Sequence, residues 1–260
     1  MLQGWLKEVA RGQRGARDLT YNEAAEAAEA MLGGNATPAQ IGGFLIAERI
    51  KMESEEELHA FIETARRLTR RSKVVQGLDC AGPYDGKAKS FNAGFVSAFV
   101  LAAAGLPVVL HGSESLPPKW GVTLLDLLRV RGVRLSELPP EQVESVAAQT
   151  GVFFVPTEVW CPPLARLRDI RVELGMRTFW NTAEKLLDVS ESPYLIFGVF
   201  HNTVFDRMAK LLTTLGYKRS LIVQGAEGSE DLHTDRPTRI YLVENGTAEK
   251  MTIDPSAFGL

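Results

Sequence analysis

Cysteines and long apolar runs are scarce in this chain of 260 residues. Its two cysteines, Cys80 and Cys161, have no CxxC neighbour, which excludes a disulfide framework and a cysteine-rich metal site. The longest apolar runs, such as Phe95 to Leu106, fall short of the ~20 residues that cross a bilayer. The N-terminus also lacks the apolar segment of a signal peptide. These absences predict a cytoplasmic protein that does not span a membrane.

An excess of charge of one sign is also lacking, because positive and negative residues are nearly equal in number. The 29 Lys and Arg against 32 Asp and Glu give a formal net charge of −3, and the sequence pI is about 5.9. This balance disfavours a wholly basic nucleic-acid binder but leaves room for a local basic patch. With 45% hydrophobic residues, the chain is long enough to bury a substantial core.

The first 73 residues predict a small all-helical domain. Three capping boxes open three consecutive periodic segments: Thr20 with Glu23, Thr37 with Gln40, and Ser54 with Glu57. A short helix over about residues 2–11 precedes them. The apolar stripe formed by Ile41, Phe44 and Leu45 predicts packing against neighbouring helices.

Residues 74–260 alternate short apolar runs with helical stretches, which predicts an α/β domain with a mostly parallel sheet and flanking helices. Strands are expected at about 74–80, 107–111, 151–155, 194–200 and 220–224, and helices at about 92–104, 121–131, 163–174 and 203–215. The segments 239–244 and 249–253, on either side of a turn with Asn245-Gly246, predict a closing hairpin.

Loops that leave the carboxyl ends of the strands are where an open α/β sheet binds its ligands. The loop over residues 81–90 contains two glycines and two lysines before a helix, which suits a phosphate or pyrophosphate, although a purely structural turn is the commoner reading. The loop over residues 111–121 places Lys119 near a helix start, where a cation is unfavourable unless an anion binds there. His111 ends the preceding strand. It could contact a ligand, and the alternative is that it is a buried core histidine with its hydrogen bonds satisfied.

Acidic residues dominate the loop that follows the strand ending at Gln224. The adjacent Glu230 and Asp231, beside Glu227, suit Mg²⁺, which takes one or two carboxylates together with water and phosphate oxygens. A solvated acidic turn explains the same residues equally well.

A basic run lies near the end of the predicted helical domain and offers a second kind of function. Five cations occur there in eight positions: Arg66, Arg67, Arg70, Arg71 and Lys73. They suit a nucleic-acid backbone, and the alternative is a solvated helix end with its cations favourably placed at the C-terminus.

Taken together, the three loops behind a helical unit resemble the anthranilate phosphoribosyltransferase family, glycosyltransferase family 3. The family pattern His-Gly-x-x-Ser-x-x-x-Lys-x-Gly is met in full between His111 and Gly121. Segments 40–47, 171–181 and 257–260 also resemble the family. The resemblance implies a fold of the nucleoside phosphorylase and phosphoribosyltransferase type, and Mg²⁺-dependent transfer of a phosphoribosyl group from phosphoribosyl pyrophosphate to an aromatic acid or base.

The resemblance also implies roles for individual residues. Glu230 and Asp231 would hold Mg²⁺, and Arg171 would contact the aromatic acid. The full set implied for substrate binding is Gly82, Asp85, Lys87, Lys89, Asn92, His111, Gly112, Ser115, Lys119 and Arg171.

Three motifs depart from the family pattern where the phosphates would bind. The phosphate loop Gly-Thr-Gly-Gly-Asp is replaced by residues 81–85, which include Pro83 and Tyr84. The family motif Asn-x-Ser-Thr is replaced here by Asn92-Ala93-Gly94-Phe95. The family motif Lys-His-Gly-Asn-Arg is replaced by residues 110–114, a segment that ends in a glutamate. A proline lacks an amide for the phosphate cradle, and tyrosine blocks close backbone approach. These changes predict a degenerate paralogue of the tryptophan-pathway enzyme that does not turn over anthranilate, with a non-catalytic nucleic-acid-binding paralogue as the alternative.

Family members continue past the Phe-Gly-Leu junction at residues 258–260 into helices that complete the helical domain. Without those helices, apolar faces of the N-terminal helices would be uncovered, and we expect a homo-oligomer, such as a homodimer.

Overall fold

The computed structural model describes residues 2–12 and 14–259, with the backbone alone for Asn202 and Thr203. The helices within these residues are α1 (Leu2–Val9), α2 (Tyr21–Leu32), α3 (Pro38–Lys51), α4 (Glu55–Arg67), α5 (Ala93–Ala103), α6 (Leu124–Val130), α7 (Pro140–Thr150), α8 (Thr157–Trp160), α9 (Pro162–Ala165), α10 (Arg168–Leu174), α11 (Trp180–Ala183) and α12 (Asn202–Leu212). The strands are β1 (Leu78–Ala81), β2 (Val108–Gly112), β3 (Val152–Pro156), β4 (Tyr194–Gly198), β5 (Arg219–Val223), β6 (Thr238–Glu244) and β7 (Thr247–Ile253). No helix among the described residues is both long and apolar enough to cross a membrane.

All three predicted capping boxes are present at the starts of α2, α3 and α4. In each, the hydroxyl of the N-cap residue accepts a hydrogen bond from an amide in the first turn, and the acidic or amide side chain three residues later accepts one from the N-cap amide. These reciprocal bonds satisfy amides that a helix start would otherwise leave unpaired. The predicted helical domain is confirmed.

The helical unit draws on more of the chain than the first 73 residues. It comprises the segments up to Arg70, Leu116–Pro118 and Thr157–Leu187. The last segment belongs there because its Phe179 stacks on Phe61 with ring centroids 4.1 Å apart and also contacts Phe44 edge-on. The predicted helix over 163–174 is likewise wrong in detail, since α9 and α10 are separate helices.

The apolar stripe of α3 packs inside the helical unit, as the sequence predicts. Phe44 and Leu45 are fully buried, and Ile41 is 4% exposed. The unit therefore covers this stripe with its own side chains, and a homo-oligomer stays a prediction that can no longer rest on these three residues.

The second unit is an α/β domain with a seven-stranded sheet in the order β3-β2-β1-β4-β5-β6-β7. β1 to β5 run parallel, and β6 and β7 are antiparallel additions at one edge. The predicted hairpin is confirmed: Asn245 and Gly246 form its two-residue turn with φ values of 51° and 73°, the positive values that a type I′ turn requires. Chain order reverses between β1 and β4, which is the point where sheets of this kind bind ligands.

Candidate functional site

The loop after β1 and the loop after β2 are joined through their backbones. The amide of Lys87 donates to the carbonyl of Val122 at 3.0 Å, and the amide of Val122 returns a bond to the carbonyl of Lys87 at 2.8 Å. A Cβ at Gly121 would lie 2.6 Å from backbone atoms of Lys87, closer than real Cβ atoms approach. Glycine is therefore required at position 121 for this contact, which explains the last residue of the His111 to Gly121 motif physically.

Between these loops, at the carboxyl ends of β1 and β2, lies a narrow cleft of about 50 Å³. Six of the residues predicted for substrate or metal binding line it: Gly82, Lys87, Asn92, His111, Gly112 and Glu230. Cys80, Tyr84, Gly94, Phe95 and Ser113 are among its other lining residues.

Tyr84 and His111 line one wall of the cleft, and they belong to a buried chain of three side chains. The hydroxyl of Tyr84 lies 2.5 Å from Nδ1 of His111, and Nε2 of His111 lies 2.8 Å from Oδ1 of Asp79. The contact with Asp79 is close but poorly aligned for a hydrogen bond, since neither Asp79 oxygen accepts one from the part of the chain that the structure describes. His111 is thus buried as a core histidine would be and also faces the cleft. Asp79 was missed from sequence, although a lone acidic residue within an apolar strand was a signal for it.

Opposite this wall, Lys87 contacts both the acidic loop after β5 and its own loop. Its Nζ forms an ion pair with Asp231 and donates to the carbonyl of Phe91 at 2.9 Å. Burial lowers the pKa of Lys87, and the negative charges of Glu230 and Glu227 oppose that shift. Oε2 of Glu230 is buried and accepts no hydrogen bond from the described residues.

Gly94 explains how Glu230 fits beside the start of α5. A Cβ at Gly94 would overlap Oε1 of Glu230. The glycine stands where the family's Asn-x-Ser-Thr motif has serine, so here the carboxylate of Glu230 approaches the backbone where a side chain would otherwise stand. Asn92 precedes α5 without capping it through its side chain.

Glu227 occupies the amide cradle that the loop after β1 was expected to offer a phosphate. Its carboxylate accepts from the amides of Ala88, Lys89 and Ser90 at 2.7 to 2.9 Å, and from the hydroxyl of Ser90 at 2.8 Å. Although partial burial raises the pKa of Glu227, these hydrogen bonds outweigh it and lower the value to about 2. The backbone amides at this place are therefore already occupied by an internal anion.

Lys119 reaches the same acidic loop from the loop after β2. Its Nζ lies 3.1 Å from Oδ1 of Asp85 and donates to the carbonyl of Glu227 at 2.9 Å. The hydroxyl of Ser115 donates to the carbonyl of Gly121, and the side chain of Lys89 is exposed. The structure thus brings Asp85 and Lys119 beside the cleft, while Ser115 stabilises its own loop.

Arg171 lies in the helical unit and is engaged with a carboxylate of this chain. Its two terminal nitrogens donate to the two oxygens of Glu184 at 2.6 and 2.8 Å, and both side chains are buried. Burial raises the pKa of Glu184 despite the opposing charge of Arg171. This bidentate geometry is the one that a bound carboxylic acid would use.

Of the five basic residues near the end of α4, Arg66 is buried, and Arg67, Arg70, Arg71 and Lys73 are exposed. Arg66 is 5% exposed and donates to the carbonyl of Leu186 and to Glu63. Arg67 pairs with Glu29, Arg70 lies over the Trp160 ring, and Arg71 approaches Asp188 and Glu191. The expectation of a solvated row of cations is wrong for Arg66, because helix packing buries it.

Glu230 and Asp231 have the donor chemistry that Mg²⁺ needs. A buried carboxylate oxygen of Glu230 without a hydrogen bond is available to a cation, and Asp231 adjoins it in sequence. The described residues contain no group of three or more metal-ligating side chains, so the remaining ligands would be water and phosphate oxygens. The residues present fit Mg²⁺ bound together with a phosphorylated ligand.

Comparison with known families identifies the family of this chain. Residues 78–260 match the a/b domain of a glycosyl transferase family, and residues 3–69 match the helical bundle domain of the same family. The chain belongs to this family. Anthranilate phosphoribosyltransferase of Endomicrobium trichonymphae is 32% identical over 94% of this chain and 72% of its own length. The enzyme of that name from Desulfitobacterium hafniense (strain DSM 10664 / DCB-2) is 33% identical over 88% of this chain and 68% of its own length.

Solved structures confirm the predicted fold. Anthranilate phosphoribosyltransferase from Thermus thermophilus superposes with a TM-score of 0.81 at 28% identity, covering 98% of this chain and 74% of that one. The Saccharomyces cerevisiae enzyme, solved in complex with phosphoribosyl pyrophosphate and Mg, has a TM-score of 0.78 at 18% identity, covering 100% of this chain and 73% of that one. The latter likeness concerns the fold alone.

Proposed function

We propose that the cleft of the α/β unit binds phosphoribosyl pyrophosphate, or a closely similar phosphorylated sugar, together with Mg²⁺, and that anthranilate is not the acceptor. The observation that carries the proposal is that Lys87 and Glu230 line the cleft at the carboxyl ends of parallel strands, with Asp231 paired to Lys87 and Lys119 bonded to the same acidic loop. Cations there suit phosphate oxygens, and the carboxylates suit a divalent metal. Relatives at 32% and 33% identity are named anthranilate phosphoribosyltransferases, which supports the choice of a phosphoribosyl donor.

Each group in the cleft would have a distinct task. Glu230 and Asp231 would hold Mg²⁺, which when bound neutralises charge on a diphosphate leaving group. Lys119 is positioned by Asp85 and would add positive charge from the loop after β2. Phosphoribosyl transfer needs no covalent nucleophile, since positioning and charge neutralisation are its main requirements.

Features of both units support the proposal that anthranilate is not the acceptor. Arg171 is already paired with Glu184, so it offers no free guanidinium to an aromatic carboxylate. In the α/β unit, Glu227 fills the amide cradle, and Pro83 and Tyr84 replace small residues of the family's phosphate loop. These features support binding of a donor without the relatives' acceptor.

Calorimetric titration of phosphoribosyl pyrophosphate, with and without MgCl₂, tests donor binding. We expect Mg²⁺ to strengthen binding, and the double variant Glu230→Gln with Asp231→Asn to abolish that enhancement. Glu249→Gln removes a carboxylate from the exposed strand β7 and is the matched control, with enhancement as in the wild type. Equal affinity with and without Mg²⁺ in the wild type would contradict the proposed metal role.

A direct assay tests the statement about anthranilate. We expect no formation of phosphoribosyl anthranilate at an ordinary enzymatic turnover, on the order of 1 s⁻¹ or faster. Turnover at that rate would show that the altered loops and the Arg171–Glu184 pair leave the relatives' reaction intact.

Nucleic-acid binding is not proposed as a second function. Arg66 is buried, and Arg67 and Arg70 contact an acidic and an aromatic group of this chain, which leaves nucleic-acid binding by the exposed cations an untested prediction.

A further inference from the structure

We propose that Lys87 acts as an internal counter-ion that holds Asp231 until a metal and a diphosphate bind together, so that the metal alone binds poorly. This inference rests on the proposed function above and adds a positioning role for one residue. The observation behind it is the direct ion pair between the Lys87 ammonium and the carboxylate proposed to hold Mg²⁺.

Lys87 is fixed in place rather than lying free in the cleft. The residue is 3% exposed, and its backbone is bonded in both directions to Val122. Its Nζ also donates to the carbonyl of Phe91, a residue in the same loop. The ammonium is therefore held beside Asp231, in the place where a cation bound to that carboxylate would have to lie.

An ammonium and a divalent cation at one carboxylate oxygen repel each other, and burial strengthens that repulsion. Mg²⁺ alone would have to displace Lys87 from Asp231 and leave the ammonium buried among fewer negative charges. A diphosphate removes this penalty, because its oxygens give Lys87 a new anionic partner while they complete the metal's coordination. Lys87 therefore changes partner from Asp231 to a phosphate oxygen.

Glu230 completes the argument because its situation differs from that of Asp231. Its Oε2 is buried and accepts no hydrogen bond from the described residues, so it can take a cation without breaking an existing pair. The other lysine nearby, Lys119, is engaged with Asp85 and the carbonyl of Glu227. Within the described part of the cleft, Lys87 is thus the cation that competes directly for the proposed metal ligands.

The test measures metal binding without any phosphorylated ligand. Mn²⁺, which prefers the same oxygen ligands, is titrated into the full chain and its free concentration is followed by electron paramagnetic resonance. We expect Lys87→Met to raise the affinity for Mn²⁺ by roughly tenfold, comparable to the effects of changing residues that contact metal ligands. Lys218→Met, which removes a lysine that lies over Tyr194 instead, is the control and should leave Mn²⁺ affinity unchanged.

A second measurement, of the affinity for the phosphoribosyl donor, should show a loss where the first shows a gain. Calorimetry with phosphoribosyl pyrophosphate and Mg²⁺ should show weaker binding for Lys87→Met than for the wild type, because the phosphate has lost its cation. Lys87→Gln, which is also neutral but can still donate to the Phe91 carbonyl, should repeat both changes and guards against a folding defect in the methionine variant.

Unchanged or weaker Mn²⁺ binding in both neutral variants, including no detectable binding at all, would overturn the counter-ion role. That outcome is separable from failure of the proposed function, which is judged by donor binding to the wild type. A wild type that binds the donor with Mg²⁺, together with variants of unchanged Mn²⁺ affinity, would leave the proposed function standing and remove this inference. Stronger Mn²⁺ binding in the variants, with no donor binding to the wild type, would remove the proposed function and leave only the competition between Lys87 and a metal at Asp231.

Discussion

Tyr84 illustrates how one residue changes the chemistry of the cleft. In the family pattern, residues 81–85 correspond to a glycine-rich phosphate loop, and here the tyrosine ring is 3% exposed with its hydroxyl 2.5 Å from Nδ1 of His111. The imidazole in turn lies against the buried carboxylate of Asp79. A side chain therefore fills space that a small residue would leave to a ligand, and it does so as part of a polar contact chain.

Replacing Tyr84 by phenylalanine should destabilise the protein by about 1–3 kcal/mol, because Nδ1 of His111 would be left buried without its partner. The measurement is urea denaturation of both proteins at neutral pH. Tyr241→Phe is the control: its hydroxyl donates to the exposed Asp206, so its loss should cost less than about 0.5 kcal/mol. A cost for the Tyr84 variant no greater than for the control would show that the contact with His111 contributes little.

Single residues were predictable from sequence where a short motif fixes their surroundings. The motif from His111 to Gly121 placed His111 and Lys119 at the cleft because residues close in sequence share one loop. The partners of Lys87 and of the amides at 88–90 were not predictable, because Asp231 and Glu227 come from a loop more than a hundred residues later. Several acidic residues in that loop had the right chemistry, and only the folded chain shows which carboxylate occupies which place.

Elements were predictable where their signals are local. The capping boxes of α2, α3 and α4 need only residues three apart, and the sheet strands follow from apolar runs. Helix α7 was missed because only Val143 of its 11 residues is buried, so it carries a weak apolar stripe. The place of segment 157–187 in the helical unit depends on distant contacts such as Phe61 with Phe179, which periodicity does not encode.

The junction between the two site loops yields a prediction at the scale of elements. Gly121→Ala should destabilise the protein by about 1–3 kcal/mol, because the added Cβ would lie 2.6 Å from the backbone of Lys87 and force the loops apart. Gly112→Ala is the matched control in the same motif, since its Cβ would meet its nearest neighbour, Leu124, at 3.8 Å. Thermal denaturation followed by circular dichroism compares the two, and equal losses would mean that the backbone bridge yields easily.

The molecule as a whole carries little net charge, yet it buries a dense charged cluster in the helical unit. Nζ of Lys51 lies 2.8 Å from Asp18, 2.6 Å from Glu57 and 3.3 Å from Glu48. Three carboxylates thus share one ammonium, and among the described residues neither oxygen of the fully buried Glu48 accepts a well-formed hydrogen bond. Burial, reinforced by the charge of Glu57, raises the pKa of Glu48 to about 8.

This raised pKa makes the free energy of unfolding depend on pH in a defined direction. Between the ordinary value of 4.5 and about 8, the folded state keeps the proton of Glu48 while the unfolded chain releases it. Because the folded state binds more protons in this window, stability falls as pH rises, with a slope of at most about 1.4 kcal/mol per pH unit from this group. Below pH 4.5 the carboxyl is neutral in both states and its contribution is constant.

Glu48→Gln should remove that slope, because an amide keeps the shape of the protonated carboxyl and does not titrate. Chemical denaturation at several pH values between 5 and 8 should then show the variant more stable than the wild type at the upper end, by about 1–4 kcal/mol. The advantage should shrink towards pH 5, where Glu48 of the wild type is protonated in the folded state and increasingly so in the unfolded one. Glu26→Gln, which removes an exposed carboxylate from the same unit, is the control and should retain the wild-type slope. A Glu48 variant that loses stability at every pH would instead mean that the carboxylate is ionised in the fold and stabilises Lys51 as its partner.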